Sequence, residues 1–243
     1  MVFDALIMVA AIIAAAVASI AGFGVGSILT PLLAIRVGTK LAVAAVSVPH
    51  LIATALRFAL IREHVDKRVF LSFGITSAVG GLAGALLHKQ FSSVVLSYIL
   101  GALLVFAGFT GITGWSQRLR FEGATAWIAG ALSGIFGGLV GNQGGIRSAA
   151  MLGMRVSKES FVATATAIAL AVDAARMPVY ALMQGKQVLE IWLVLLLATI
   201  GVVAGTIAGE RVLRRIPEPL FRRVVSFMIL ALGISLLLHP GNG

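Results

Sequence analysis

Long apolar runs dominate the chain, and polar residues cluster in the short stretches between them. Six runs are long enough to cross a bilayer as helices, which takes about 20 residues each. The runs are continuous and do not alternate between apolar and polar positions, so they predict helices and not barrel strands. The predicted spans are residues 41–62, 69–87, 92–114, 160–183, 188–209 and 217–238.

Two further apolar segments are each interrupted by a cluster of glycines. Residues 4–21 run into the glycine-rich residues 22–27, and residues 124–139 run into residues 141–145. Each break is followed by an apolar piece that is too short to cross alone. These pieces are residues 28–35 and 146–154. Each broken segment is therefore either one kinked crossing or a hairpin that returns to its own side.

The two broken segments belong to an internal repeat with an offset of 119 residues. Residues 22–69 align with residues 141–188 without a gap, and twelve of the 48 positions are identical. Three identities are basic residues, which are scarce in this chain: Arg36/Arg155, Arg57/Arg176 and Lys67/Lys186. The repeat divides the chain into two membrane repeats, residues 1–117 and 118–243, within one integral domain.

The distribution of Lys and Arg between the loops distinguishes a kinked crossing from a hairpin. Kinked crossings divide these residues 6 against 10, whereas hairpins divide them 4 against 12. Basic residues accumulate on the cytoplasmic side of a membrane, so the sharper division favours hairpins. The four residues on the minority side are then Arg36, Lys40, Lys89 and Lys186.

The hairpin interpretation also fixes the relative orientation of the two halves. A hairpin followed by three spans crosses the membrane an odd number of times, so the second half is inverted with respect to the first. The sequence thus predicts an all-α polytopic membrane protein made of two inverted repeats, each a glycine-broken hairpin plus three transmembrane helices. Both termini are expected to be extracytoplasmic, with the linker at residues 116–122 in the cytoplasm.

Composition narrows the class of protein further. Only 12% of residues are charged and mean hydropathy is +1.04, against roughly 25% charged residues in soluble domains. The net charge of +10 would suggest nucleic acid in a soluble protein. Here the charge lies in short loops, where it controls topology and meets anionic lipid, so no nucleic acid partner is expected. No cysteine is present, and the His and acidic residues show no metal-site spacing, so no metal or other cofactor is predicted.

Glycine spacing predicts close contacts between helices in the membrane. The pairs Gly80-xxx-Gly84 and Gly201-xxx-Gly205 correspond to each other with a two-residue shift from the repeat. Small residues four positions apart let helix backbones approach closely in lipid.

The two glycine-rich hairpin tips are the predicted substrate site. A helix that starts at a tip presents unpaired N–H groups and a partial positive charge, which attract anions. Two such ends, one from each half, would form one pseudo-symmetric site near the membrane middle. The candidate binding residues are Gly24, Gly26, Ser27 and Thr30 in the first half, and Asn142, Gln143, Gly144, Gly145, Arg147 and Ser148 in the second.

Arg147 is the most informative single residue, since it lies just after the second tip in an apolar stretch. Its guanidinium could bind an oxyanion through paired hydrogen bonds. The alternative is that it snorkels to the membrane interface or pairs with a carbonyl group.

Four further residues are candidates for coupling or gating. His50 lies in the middle of a span and could relay protons or simply bond a neighbour. Arg57 and Arg176 occupy equivalent late positions in equivalent spans, where they could snorkel. Asp173 lies on the same helical face as Arg176, three residues away. We expect these two to form an ion pair that makes Arg176 less available to substrate, and Asp173 is also a candidate for proton coupling.

An intramembrane enzyme is a weaker alternative. The pair Gly26-Ser27 could suggest a rhomboid-like serine protease, which requires a base within reach. His50 is the only mid-span histidine available for that role. We therefore expect the chain not to be an enzyme.

The glycine-broken starts of both halves resemble the paired motifs of the sulfite exporter TauE/SafE family. The similar segments are AGFGVGSILTPLL at residues 21–33 and GIFGGLVGNQGGI at residues 134–146. The resemblance covers nearly the whole chain. It implies a secondary carrier, most simply an exporter, for sulfite, thiosulfate or organosulfonates in a bacterial or archaeal inner membrane.

The resulting prediction is a multi-pass carrier in the cell inner membrane that moves a small anion by alternating access. An anion channel or facilitator of the same fold is the alternative. The expected partners are the anion and the lipid bilayer, with protons as a coupling ion. The sequence leaves the oligomeric state open, a homodimer included.

Overall fold

The computed structural model describes residues 2–21, 24–115, 123–144, 146, 147, 151, 157–213 and 218–240. The described residues are almost entirely helical, and none of them lies in a strand. The main helices are α1 Val2–Ala21, α2 Val25–Ile61, α3 Lys67–His88, α4 Ser93–Thr113, α5 Ala124–Val140, α6 Lys158–Glu190, α7 Trp192–Leu213 and α8 Glu218–Leu238. The prediction of an all-helical chain is confirmed over this part of the sequence.

Helix α2 is divided by Gly38, whose φ of 75° and ψ of 153° are not helical. We call residues 25–37 α2a and residues 39–61 α2b. The equivalent of Gly38 in the repeat is Ser157, which lies just before α6 and caps it by accepting a hydrogen bond from the Ser160 amide. Both long helices therefore begin at the same position of the repeat, as an offset of 119 residues requires.

Several predicted boundaries need correction. The short piece after the first break covers residues 25–37 and not 28–35, because the helix includes Gly26 and Ser27 in its first turn and Arg36 in its last. Helix α6 continues to Glu190, so the span predicted at 188–209 begins inside α6 and its own helix starts at Trp192. Polar residues at the end of α6 ended the predicted span but do not end the helix.

Helix α2a folds back along α1. Arg36 near the end of α2a forms an ion pair with Asp4 in the first turn of α1, with 3.4 Å between Nη1 and Oδ1. The Arg36 guanidinium also lies 4.8 Å from the centre of the Phe3 ring. These contacts bring the end of α2a back to the start of α1, which is the geometry of a hairpin and not of a single kinked helix.

Helices α2b and α6, which are equivalent in the repeat, pack against each other in antiparallel directions. Near the start of α2b, the Lys40 carbonyl accepts a hydrogen bond of 3.3 Å from Gln184 near the end of α6. Beyond the other end of α2b, the Asp66 amide donates to Thr164 near the start of α6, at 2.8 Å. Ser47 contacts Met177 between these two points.

The predicted glycine contacts are confirmed and connect the two halves. A Cβ atom on Gly84 of α3 would overlap the Ile135 carbonyl oxygen of α5, and one on Gly205 of α7 would overlap the Ile12 carbonyl oxygen of α1. The first helix of each half thus packs on the helix that carries the glycine pair in the other half. Both pairs run parallel, because contacts advance along the two helices in the same direction.

The lengths and composition of the helices suit a membrane. Shorter apolar helices accompany four segments among the described residues that are long and apolar enough to cross: Val25–His64, Lys67–His88, Ser93–Thr113 and Glu159–Glu190.

A cleft of about 560 Å³ between α2a and α8 is lined by Ile35, Val94 and His239, among others. His239 near the C-terminus therefore lies at the same end of the molecule as Arg36 and Asp4.

Candidate functional site

The two glycine-rich tips lie against each other. Gly24 (φ 145°) precedes α2a and Gly141 (φ 72°) ends α5, and both have backbone angles that favour glycine. A Cβ atom on Gly26 would overlap the carbonyl oxygen of Gly141. The sequence placed these glycines at two tips, and the tertiary structure brings the tips into backbone contact.

Polar side chains from both halves meet at this contact. Ser27 Oγ donates to Asn142 Oδ1 at 3.3 Å, and both residues are buried. Gln143 is anchored through its backbone, since its carbonyl accepts a hydrogen bond of 3.1 Å from Ser133. This bond ties the segment after α5 to α5 itself.

Two polar groups at the tips have no hydrogen-bond partner within the described part of the chain. They are the side-chain amide of Gln143, through both Nε2 and Oε1, and the Thr30 hydroxyl. Both side chains are buried. A buried polar group left in this condition costs about 1–3 kcal/mol, so these groups are suited to bind a polar ligand that supplies the missing partners.

The second tip continues into a helical segment that contains Gly144 and Arg147. The Arg147 amide donates to the Gln143 carbonyl at 3.1 Å, as the first turn of a helix does. Arg147 is only 2% exposed, so its guanidinium lies inside the protein and does not snorkel to the surface. The other predicted residues of this segment, Gly145 and Ser148, lie outside the described residues.

A buried network links α2b and α6 beside the tips. Asp173 pairs with Arg176, as predicted, with 2.9 Å from Nε and 2.7 Å from Nη2 to Oδ1. The other Asp173 oxygen, Oδ2, lies 2.6 Å from His50 Nδ1. Arg176 also donates through Nη1 to the Gly137 carbonyl, at 2.5 Å. Asp173 therefore bonds one residue from each half of the chain.

The arginines of this region form one electrostatic cluster with the tips. Arg147 lies close enough to Asp173, Arg57 and Arg176 to interact with each of them electrostatically. A Cβ atom on Gly141 would lie 3.9 Å from Arg176 Nη1, so the cluster reaches the tip itself. Arg57 and Arg176 are 6% and 2% exposed, so the alternative that they snorkel is wrong for both.

The sequence pattern did not identify every residue of the network. Tyr180 donates to the Gly138 carbonyl of α5, and the Arg176 guanidinium lies 5.9 Å from the centre of its ring. Thr54 lies 3.4 Å from His50 Nδ1. Thr54 follows His50 by four residues and Tyr180 follows Asp173 by seven, so helical periodicity from the charged residues would have found both.

The geometry gives no support to the serine protease alternative. Ser27 contacts Asn142, whereas His50 contacts Asp173 and Thr54. No hydrogen bond between Ser27 and a histidine occurs among the described residues. What the arrangement can do chemically is to hold an anion with amide, hydroxyl and guanidinium donors in a buried place.

A comparison with known protein families shows to which family the chain belongs. The model of the sulfite exporter TauE/SafE family matches residues 7–236. The chain belongs to this family. The match includes both tips and both long helices α2 and α6, so the resemblance seen in the glycine motifs is confirmed over nearly the whole chain. The chain matches no curated protein and no solved structure.

Membership of the TauE/SafE family gives the buried donors a biological setting. The family name and the apolar helices together identify a multi-pass membrane protein of a transporter family for sulfur-containing anions. The substrate class expected from the family is an oxyanion, which is also the ligand that buried guanidinium and amide groups favour.

Proposed function

We propose that this TauE/SafE protein is a secondary transporter that exports a small sulfur-containing oxyanion, such as sulfite, thiosulfate or an organosulfonate, by alternating access. The observation that carries the proposal is the contact between the two glycine-rich tips beside buried polar groups. Gln143 and Thr30 have unsatisfied side-chain groups there, within the described chain. An oxyanion carries several acceptor oxygens and can bind several such donors at once.

The proposed binding site combines residues from both tips. Ser27, Thr30 and the backbone at Gly24 and Gly26 come from the first half. Asn142, Gln143, Arg147 and the backbone at Gly144 come from the second, and we include Gly145 and Ser148 on the sequence alone. Because the anion would bridge two halves, movement of one half against the other would open the site to alternate sides.

We further propose that residues 1–117 and 118–243 are repeats inserted in opposite directions. The antiparallel packing of the equivalent helices α2b and α6 supports this arrangement. The hydrogen bond between Gln184 and Lys40 supports the hairpin topology, because it brings Lys186 to the end that holds Lys40. The charge distribution supports an arrangement in which both termini lie outside an inner membrane.

Proton coupling is proposed to use His50 and Asp173. Their contact at 2.6 Å joins the two halves beside the site, so a change in protonation would alter a bond across the moving interface. A carboxylate and an imidazole in this position are common elements of proton relays in membrane proteins.

Counterflow in proteoliposomes tests the transport mechanism. Vesicles loaded with unlabelled thiosulfate should accumulate labelled thiosulfate transiently, and the initial rate should saturate with concentration. A channel of the same fold would give neither saturation nor counterflow. Absence of any thiosulfate, sulfite or organosulfonate flux, with intact protein in the vesicles, would reject the proposed function.

Labelling of single cysteines tests the topology separately. The chain has no cysteine, so each introduced thiol is unique. Lys89→Cys should react with an impermeant maleimide from the extracytoplasmic side, and Glu159→Cys should react only after the membrane is permeabilised. Both positions are exposed. Reaction of both from one side would contradict the proposed inversion.

A further inference from the structure

Arg57 differs from Arg176, its equivalent in the repeat, in how its guanidinium is satisfied. Its side chain is 6% exposed, and both Nε and Nη2 are buried without a hydrogen-bond partner in the described parts of the chain. A buried charge without compensation costs several kcal/mol. A ligand of opposite charge would compensate a group held in this condition.

The repeat explains why Arg57 is left in this state. The residue equivalent to Arg57 is Arg176, and the residue equivalent to Asp173 is Thr54, each at the offset of 119. In the second half the carboxylate three residues earlier neutralises the arginine. In the first half that position holds an uncharged hydroxyl, which contacts His50. The arginine of the second half is thus neutralised by a carboxylate on its own helix, whereas the equivalent arginine of the first half is not.

Arg57 also lies in the right place to act on the site. It follows Thr54 by three residues and His50 by seven, so all three occupy the face of α2b that meets α6. It interacts electrostatically with Arg147, which follows the second tip. Two like charges brought together inside a protein repel each other, and a bound anion between them would relieve the repulsion.

We infer that Arg57 is a substrate-binding residue that neutralises the transported anion and sets its preference for higher anionic charge, whereas Arg176 is reserved by Asp173 for structure. This inference rests on the proposed function, since it assigns a residue to the same anion site. It adds a direct contact that the tips alone do not provide. It also makes a pseudo-symmetric site asymmetric in charge.

The first test introduces into the first half the aspartate that the second half has at the equivalent position. Thr54→Asp places a carboxylate where Asp173 stands relative to Arg176, so it should neutralise Arg57 in the same way. We expect thiosulfate binding to the purified full chain to weaken by about tenfold or more, since charge-assisted bonds are strong. The melting temperature without anion should rise, because the buried arginine gains a partner. Thr54→Asn is the matched control, with the same shape and no charge, and should keep affinity within about twofold.

The second test uses the charge of the probe. Arg57→Gln removes one positive charge, and the Coulomb energy lost is proportional to the charge of the anion. The fold loss for thiosulfate, a dianion, should therefore be about the square of the loss for methanesulfonate, a monoanion. Arg62→Gln, on the exposed turn after α2, is the control and should leave both affinities unchanged.

The outcomes distinguish failure of the proposed function from failure of the proposed role of Arg57. If the unaltered chain binds none of thiosulfate, sulfite and methanesulfonate, the proposed function fails. If it binds them and Thr54→Asp retains full affinity, the role of Arg57 is rejected. Equal losses for the two probes in Arg57→Gln would likewise reject Arg57 as the residue that sets charge preference. Should Thr54→Asp not fold, the ratio measured with Arg57→Gln decides alone.

Discussion

Helices α2b and α6 are equivalent in the sequence repeat and pack against each other, but their buried charges differ in how they are neutralised. In α6, Asp173 and Arg176 form a pair that also bonds α2b and α5. In α2b, Arg57 has no carboxylate three residues before it, because Thr54 stands there. In α6 the arginine is neutralised by an aspartate of the same helix. In α2b the positive charge of Arg57 has no such aspartate, so a ligand could neutralise it.

The difference shows how a duplicated protein can separate stability from binding. Duplication supplies two equivalent arginines in one buried region. Pairing one of them with aspartate stabilises the contact between the halves, since both charges then satisfy each other. The other has no hydrogen-bond partner at Nε and Nη2 among the described residues, which is why we propose that it binds the substrate. A symmetric arrangement with two Asp–Arg pairs would be more stable but would offer less positive charge to an anion.

The largest expected effect is on protein stability, and it differs between substitutions of the two arginines. Arg176→Gln leaves Asp173 buried without its charged partner, so it should destabilise the protein by about 3–5 kcal/mol. Arg57→Gln removes an uncompensated charge and should be neutral or stabilising. Thermal unfolding in detergent without anion measures both. Equal destabilisation by the two changes would show that Arg57 is as much a structural residue as Arg176.

A second prediction concerns the backbone contact between the tips. Gly26→Val places a side chain where the Gly141 carbonyl lies, so it should cost about 3 kcal/mol and abolish transport. Gly185→Val in α6 is the control, since a Cβ atom there meets nothing within 4 Å. Its effect should be within a few tenths of a kcal/mol. A transport-competent Gly26→Val protein would show that the tips do not need to touch.

A third prediction compares the two glycine contacts between the halves. Gly84→Ala and Gly205→Ala each place a methyl group against a carbonyl oxygen, of Ile135 and Ile12 respectively. Each should lower stability by about 1–3 kcal/mol, as overpacking does. The two losses should add in the double variant, because the contacts share no residue. A neutral result for either one would show that its helix pair can separate without cost.

The smallest expected effect concerns His50. His50→Gln retains a polar side chain but removes the imidazole beside Asp173. Stability should fall by about 1 kcal/mol, the net value of one hydrogen bond. Counterflow without a pH gradient should persist, while the dependence of net flux on a pH gradient should disappear. An unchanged response to the gradient would remove His50 from the coupling proposal.

Much of the fold was predictable because it depends on local or repeated features. Apolar run length predicts helices, and the 119-residue offset predicts which helices are equivalent. Charge distribution predicted hairpins, and the contact between Arg36 and Asp4 agrees with it. The helix boundaries at Glu190 and Gly38 were harder to predict from the sequence. A helix extends beyond its apolar stretch when polar residues can continue it, and a glycine ends one only in context.

The candidate site was predictable in its members more than in its contacts. Glycines, amides and arginines in an apolar sequence are conspicuous, so Ser27, Asn142 and Arg147 could be named in advance. Their partners could not. The bond from Ser27 to Asn142 joins residues 115 positions apart, and the state of Arg57 depends on which side chains surround it. No local pattern contains that information.

The sequence alone determined the helical class, the duplication and the identity of the polar residues, because these follow from hydropathy, self-similarity and composition. Only the tertiary structure decided that the tips touch and that the equivalent helices run antiparallel. It also decided that Arg176 pairs with Asp173, while Nε and Nη2 of Arg57 find no partner within the described part of the chain. These outcomes depend on contacts between distant segments. Such contacts arise from the packing of all helices together, since in lipid it is close packing and buried polar bonds that hold helices in place.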